Sequence, residues 1–355
     1  MQKPTILVTG ATGKTGSATI AQLLTKGYPV RALVHRADGR SDGLRKLGAQ
    51  IVTGSLEDMT DLRTAMNGVQ RAYFCPPLEP GALRRATLFA AAAQAARLEV
   101  VVALSQWVAD PHHPATHSRE KWLSGKVFEW TPDLDVVTVN PGFFADNYMA
   151  ALEPMAHFGL LGMPLGKGLN APPSNEDIAR VVTGALTNPA PHIGKRYRPT
   201  GPRLMTPEDI AGAIGKALGR KVSYQDVPMK LFFKVAKSLG ISEFVIEELS
   251  YFLLDYQRNA FGIGAPTDAV MDVAGVAPEP FEVIARRYVA ASGFCKRAFR
   301  SNLTAVHNLV AGLLTSAPAP SDIARRLHLP TLNNPMLAAD SAPWRATHAP
   351  QGAAE

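Results

Sequence analysis

Three glycines, Gly10, Gly13 and Gly16, constrain this 355-residue chain more than any other feature. They follow the run Thr5-Ile6-Leu7-Val8 directly and precede an amphipathic pattern over 17–26. That order reads as a buried strand, a tight turn and a helix N-terminus. Glycine lets the backbone turn sharply and lets a ligand approach with no Cβ in the way. The free N–H groups and the dipole at the helix start then favour an anion. In this strand–helix setting the turn points to the pyrophosphate of a dinucleotide, held by Gly10, Thr12, Gly13, Lys14, Thr15 and Gly16. Gly13-Lys14-Thr15 also looks like the end of a triphosphate-binding loop. That loop needs a glycine where Val8 stands, so the spacing excludes it.

Further strands and helices alternate behind this unit. Val30-Arg31-Ala32-Leu33-Val34 forms a second strand that ends at His35-Arg36. A carboxylate at this strand end would select an unphosphorylated ribose, whereas an arginine pairs with a 2′-phosphate. His35 and Arg36 stand there, with Lys14 as a second cation, and the expected cofactor is therefore NADP(H). Further strands are expected over 50–54, 71–75, 100–105 and 134–139, with helices up to Met66 and over 80–97 and 118–130. Near-continuous apolar strands separated by helices imply α/β architecture, a doubly wound parallel sheet covered on both faces. Cys75-Pro76-Pro77 ends the fourth strand; the prolines either leave carbonyls free to face a cofactor or simply start a loop.

The C-terminal edge of such a sheet is where ligands bind. Ser105 ends the fifth strand there. His117 and Lys121 follow, four residues apart and on one face of a helix, so both can point at one site. His112, His113 and His117 lack the spacing and carboxylate support of a metal site, and none is expected. The sixth strand runs into Asn140-Pro141-Gly142-Phe143-Phe144-Ala145-Asp146-Asn147.

With these residues the chain resembles the NmrA-like family of atypical short-chain dehydrogenases/reductases, whose nucleotide-binding fold is of Rossmann type. The resemblance rests on the stretch Val8-Thr9-Gly10-Ala11-Thr12-Gly13-Lys14-Thr15-Gly16, on Arg36, and on Asn140-Pro141-Gly142-Phe143-Phe144 with Asn147. Ser174-Asn175-Glu176-Asp177-Ile178-Ala179 and Tyr197-Arg198-Pro199-Thr200-Gly201-Pro202 add to it, and it spans residues 5–227. It implies that the Pro141-Gly142 loop passes the nicotinamide ring, with Phe143 near it. The wider superfamily uses a Tyr-x-x-x-Lys pair with an upstream serine, and none of the eight tyrosines here has lysine four positions on. His117 and Lys121 take that place, at suitable spacing from Ser105. Either His117 donates a proton, with Lys121 holding the ribose and Ser105 stabilising charge, or the chain binds cofactor without reducing anything.

The domains expected are a nucleotide-binding unit over 1–147, its sheet completed by about 174–200, and a helical substrate subdomain over 148–173 and 201–315. Within the latter, 149–169 reads equally as a pocket wall or a core connection. Helices are expected over 175–186, 207–218, 244–261, 280–291 and 301–314, and strands over 195–199 and 221–227. Proline and alanine take over in 316–355, which reads as a poorly ordered tail. Hydrophobic residues make up 46% of the chain, enough for a core. The net charge of +7 shows no aromatic interleaving, so it suits an anionic cofactor better than nucleic acid. Two distant cysteines build no disulfide framework. The first strand begins almost at once and no apolar run reaches membrane length, so a cytoplasmic protein is expected. Two functions fit: an NADPH-dependent oxidoreductase passing hydride to a quinone, carbonyl or similar small electrophile, or a non-catalytic NADP(H) redox sensor. The partners expected are a small-molecule substrate, with a second copy or a regulatory protein as alternatives.

Overall fold

A computed structural model describes residues 3–293, 315–316 and 319–349. Its strands in chain order are β1 (Ile6–Val8), β2 (Val30–Val34), β3 (Gln50–Thr53), β4 (Arg71–Phe74), β5 (Val100–Leu104), β6 (Asp135–Val139), β7 (Leu160–Gly162), β8 (Arg196–Tyr197) and β9 (Ser223–Gln225). The helices of the nucleotide-binding half are α1 (Lys14–Thr25), α2 (Gly39–Lys46), α3 (Met59–Met66), α4 (Ala82–Ala95) and α5 (Thr116–Trp130). Then come α6 (Ala145–Met149), α7 (Leu152–Phe158), α8 (Asn175–Thr187) and α9 (Pro207–Leu218). The last of this set are α10 (Met229–Ser238), α11 (Glu243–Gln257), α12 (Ala269–Ala274) and α13 (Phe281–Ser292).

Seven strands form one sheet in the order β3-β2-β1-β4-β5-β6-β8, every pair parallel. Successive side chains of a strand point to opposite faces, and β1 uses both. Ile6 and Val8 pack with Ile20 and Leu23 of α1 and Ile178 and Val182 of α8. Leu7 packs on the other side with Leu62 of α3, Phe89 of α4 and Phe128 of α5. The doubly wound Rossmann-type sheet is therefore present. Strand order reverses at β1, between β2 and β4, and such a switch point is where open α/β sheets bind ligands, at the C-terminal ends of the strands.

The strand expected over 221–227 shortens to β9 and pairs with β7, apart from the main sheet. Its apolar anchor Val222 is buried in the helical core instead. The 149–169 stretch belongs to that same core, since Met155, Leu161 and Leu165 are fully buried there. The helix 207–218 stands where expected, capped by Thr206, which accepts from the Asp209 N–H, and closed by the left-handed Gly219.

The poorly ordered tail expected over 316–355 does not describe residues 319–349. A helix over Pro320–Arg326 and another over Ala342–His348 lie on the helical core. Trp344 is 3% exposed and donates from Nε1 to the Trp107 carbonyl at 2.9 Å. Ala339 N–H donates to Asp255 Oδ1 at 3.0 Å, and Ile323 is fully buried. A few large anchors hold a stretch whose average composition suggests none. The helix expected over 301–314, Cys295 and residues 350–355 lie outside the described residues. No helix among the described residues is long and apolar enough to cross a membrane.

Candidate active site

The glycine turn works through backbone geometry. Gly10 has φ +57°, the left-handed region, and a Cβ there would collide with the Cys75 carbonyl oxygen. A Cβ on Gly16 would collide with the Gly10 carbonyl, so α1 can start this close to β1 only with glycine. Thr9 Oγ1 donates to the Tyr73 carbonyl at 3.2 Å and accepts from Cys75 N–H at 2.8 Å, which locks the ends of β1 and β4 together. Gly13 caps α1 and offers no side-chain acceptor, so the first-turn N–H groups have no cap to bond and remain available to an anion. This cradle fits a pyrophosphate, with Gly10, Gly13, Gly16 and the half-buried Thr12 shaping it.

The remaining residues expected at the cofactor differ in their surroundings. Thr15 is buried, 3.5 Å from Cys75 Sγ. Lys14 is exposed and pairs with Asp146 at 2.5 Å; the Tyr288 hydroxyl of α13 donates to the other Asp146 oxygen. His35 and Arg36 are exposed just beyond β2, next to β1 in the sheet. Pro76 is buried and Pro77 exposed at the start of the loop after β4. Phe143 follows on the loop after β6. It is 1% exposed and packs against Tyr148, Phe252, Tyr256 and Phe261. Its ring belongs to the core of the helical subdomain. The Pro141 carbonyl accepts from Trp107 N–H at 3.0 Å, and Gly142 lies against Phe261 and Trp107. This loop is welded to the segment after β5.

The residues at the end of β5 meet as the helical spacing predicts, but in different chemical states. Lys121 Nζ donates to the Leu104 carbonyl at 3.0 Å, beside Ser105. Burial pulls its pKa down to about 8, opposed by the charges of Cys75, Glu248 and Glu120. Ser105 is half-buried, and its N–H donates to the Val139 carbonyl at 2.8 Å. His117 is 2% exposed, its ring edge-on to Phe244 and its Nδ1 without a hydrogen-bond partner. Burial, then Lys121 and Arg85, push its pKa well below the usual imidazole range. Burial thus favours the neutral imidazole over the imidazolium that a proton donor requires. Lys121, brought down to about 8, titrates closer to neutrality than an ordinary lysine.

Sequence reasoning missed the acids that α11 brings in. Glu248, 3% exposed, accepts at Oε1 from Ser118 Oγ at 2.9 Å and Gln106 Nε2 at 3.1 Å. Glu247 beside it is also buried, and burial, then Glu248, hold its carboxyl up at about 8 against the pull of Arg119. Seven residues on from Glu248, Asp255 Oδ2 lies 2.7 Å from His113 Nε2. His113 Nδ1 accepts from Ala115 N–H at 3.1 Å, so Nε2 carries the proton that bonds Asp255. One signal pointed there: Glu248 and Asp255 stand four and eleven residues after Phe244, on the apolar stripe of the helix.

The model of the NmrA-like family matches residues 2–123, which bears out the family resemblance over the nucleotide-binding half. The NAD(P)H azoreductase of Xenophilus azovorans is 28% identical over 81% of this chain and 99% of its own length. The (4-alkanoyl-5-oxo-2,5-dihydrofuran-3-yl)methyl phosphate reductase of Streptomyces griseus is 25% identical over 78% of this chain and 95% of its own. Among solved structures, the NADPH-dependent quinone oxidoreductase of Escherichia coli complexed with NADPH superposes with a TM-score of 0.70 at 20% identity. That match covers 79% of this chain and 99% of the other, and it shows the same fold.

Proposed function

We propose that this NmrA-like chain is an NADPH-dependent oxidoreductase that reduces a small electrophile, of the quinone, azo or carbonyl class. One observation carries the reading. The glycine cradle with its uncapped helix start and Lys121, tethered at the end of β5, open onto the same edge of the same sheet. The names of the azoreductase and furan phosphate reductase relatives support a reductase. Residues of the turn hold the pyrophosphate, and Lys14 and Arg36 suit a 2′-phosphate. A reduced nicotinamide supplies the hydride. Lys121 gives the proton that the reduced acceptor then requires, and Ser105 donates a hydrogen bond to the oxygen or nitrogen on which charge develops. His117, uncharged and packed under α11, shapes this wall and excludes water. Purified protein mixed with NADPH and a panel of quinones, azo dyes and aldehydes should oxidise NADPH in an acceptor-dependent way. Tight NADPH binding with no turnover on any acceptor would overturn the enzyme reading.

A redox-sensor reading draws on a separate observation. Lys14, Asp146 and Tyr288 link the cofactor turn to α13 of the helical subdomain. A sensor requires the oxidised and reduced cofactors to bind with clearly different affinities; equal affinities would exclude it.

A further inference from the structure

We propose that Trp344 is a positioning residue for the acceptor half of the site, acting through the loop between β5 and α5; the acceptor role of that half rests on the reductase reading. This loop separates Ser105, at the end of β5, from His117 and Lys121 on α5. Residues 330–344 form a strap that runs alongside the loop in the opposite direction and meets it four times. Trp344 Nε1 donates to the Trp107 carbonyl at 2.9 Å, and Ser341 Oγ donates to Asp110 Oδ2 at 3.0 Å. Met336 N–H donates to the His112 carbonyl at 2.8 Å. The Pro330 carbonyl accepts from Thr116 Oγ1 at 3.4 Å and from Arg119, both in the first turn of α5. Rising numbers on the loop thus meet falling numbers on the strap, from two residues past Ser105 to the start of α5.

Two buried acids make strap and loop one unit. Asp110 accepts at Oδ1 from His112 N–H at 2.7 Å within the loop and gives its other oxygen to Ser341. Asp255 of α11 bonds His113 of the loop through Oδ2 and accepts from Ala339 N–H of the strap through Oδ1. Freeing the strap would leave one oxygen of each carboxylate buried without a donor. That is costly, so the loop keeps this shape only with the strap docked. Trp344 is the anchor nearest the site, its ring stacked on His348 with centroids 3.9 Å apart. The Trp107 N–H donates to the Pro141 carbonyl, so this residue is pinned between the strap and the loop after β6. None of these contacts involves the glycine turn, which lies two strands away at β1. Hydride acceptance needs Ser105 and Lys121 at a fixed spacing, and small displacements of such groups cost rate steeply. The far end of the chain therefore sets the acceptor half and leaves the cofactor half alone.

Hydrogen exchange of the full chain, read by mass spectrometry, tests the coupling without turnover. Trp344→Phe keeps a ring and loses the donor, and amides of 106–116 should exchange about tenfold faster. In Trp344→Ala the acceleration should be larger. Amides of β1 and α1 and the NADPH dissociation constant should stay as in the unmodified protein. If Trp344→Ala does not fold, Trp344→Phe and Ser341→Ala decide the question. Unchanged exchange over 106–116, or equal acceleration in β1 and α1, overturns the inference. With an acceptor that turns over, kcat in Trp344→Phe should fall about tenfold at unchanged NADPH affinity. A loosened loop with unaltered kcat and acceptor KM would equally overturn it. Failure of every acceptor would count against the reductase reading, while the exchange rates would still decide whether the strap holds the loop.

Discussion

The glycine turn and the lysine node lie on one sheet edge but are assembled differently. The turn from Gly10 to Gly16 is contiguous, and its glycines work through backbone atoms packed on each other and on Cys75. The node around Lys121 gathers Leu104 from the end of β5, Gln106 from the loop after it, Ser118 from α5 and Glu248 from α11. A backbone site keeps its shape wherever the strand and helix form. A side-chain node exists only when distant elements have docked, so its chemistry depends on the helical subdomain as the turn's does not.

Substitutions at each end should separate the two. Lys121→Met removes the acid while keeping the volume, and kcat should fall about 10²–10⁴-fold with the NADPH dissociation constant little changed. A comparable loss of NADPH affinity would show that Lys121 belongs to the cofactor site and would erase the contrast. Gly10→Ala forces a Cβ into the Cys75 carbonyl and a left-handed φ on alanine. It should lower stability by about 1–3 kcal/mol and strongly weaken NADPH binding, read by thermal melting and cofactor titration. Unimpaired binding would mean the turn is looser than its geometry implies.

The smallest effect concerns the α11 side. The folded pKa of Glu247, about 8, lies above its ordinary value of 4.5. Its contribution to stability is therefore complete below about pH 4.5 and is lost as pH rises through about 8. Glu247→Gln stays uncharged, so thermal melts from mildly acid to alkaline pH should show the variant gaining on the unmodified protein as pH rises. Parallel melting curves would mean that Glu247 is solvated and that α11 is not sealed against α5.

Much of the nucleotide-binding half was legible because its signals are local. Each strand from β1 to β6 is an apolar run bounded by turn residues, and glycine spacing marks the turn without reference to anything else. The proximity of Lys121 to the end of β5 was also legible, since helical spacing and strand-end position combine simply. The state of His117 was not, because burial under Phe244 decides whether an imidazole carries a proton and that helix lies over 120 residues on. The packing of Phe143 was not legible for a related reason: its ring partners Tyr256 and Phe261 lie more than a hundred residues on.

Sequence by itself determined that residues 5–16 form a strand, a phosphate-sized turn and a helix, and that a parallel sheet follows. Those features depend on periodicity, β-branching and glycine, all properties of neighbouring residues. Tertiary structure alone decided which buried acid bonds Ser118 on the Lys121 helix, that burial pushes the His117 pKa down, and that residues 319–349 pack through Trp344 and Ile323. These outcomes depend on desolvation and on partners far apart in the chain, and no local pattern encodes either.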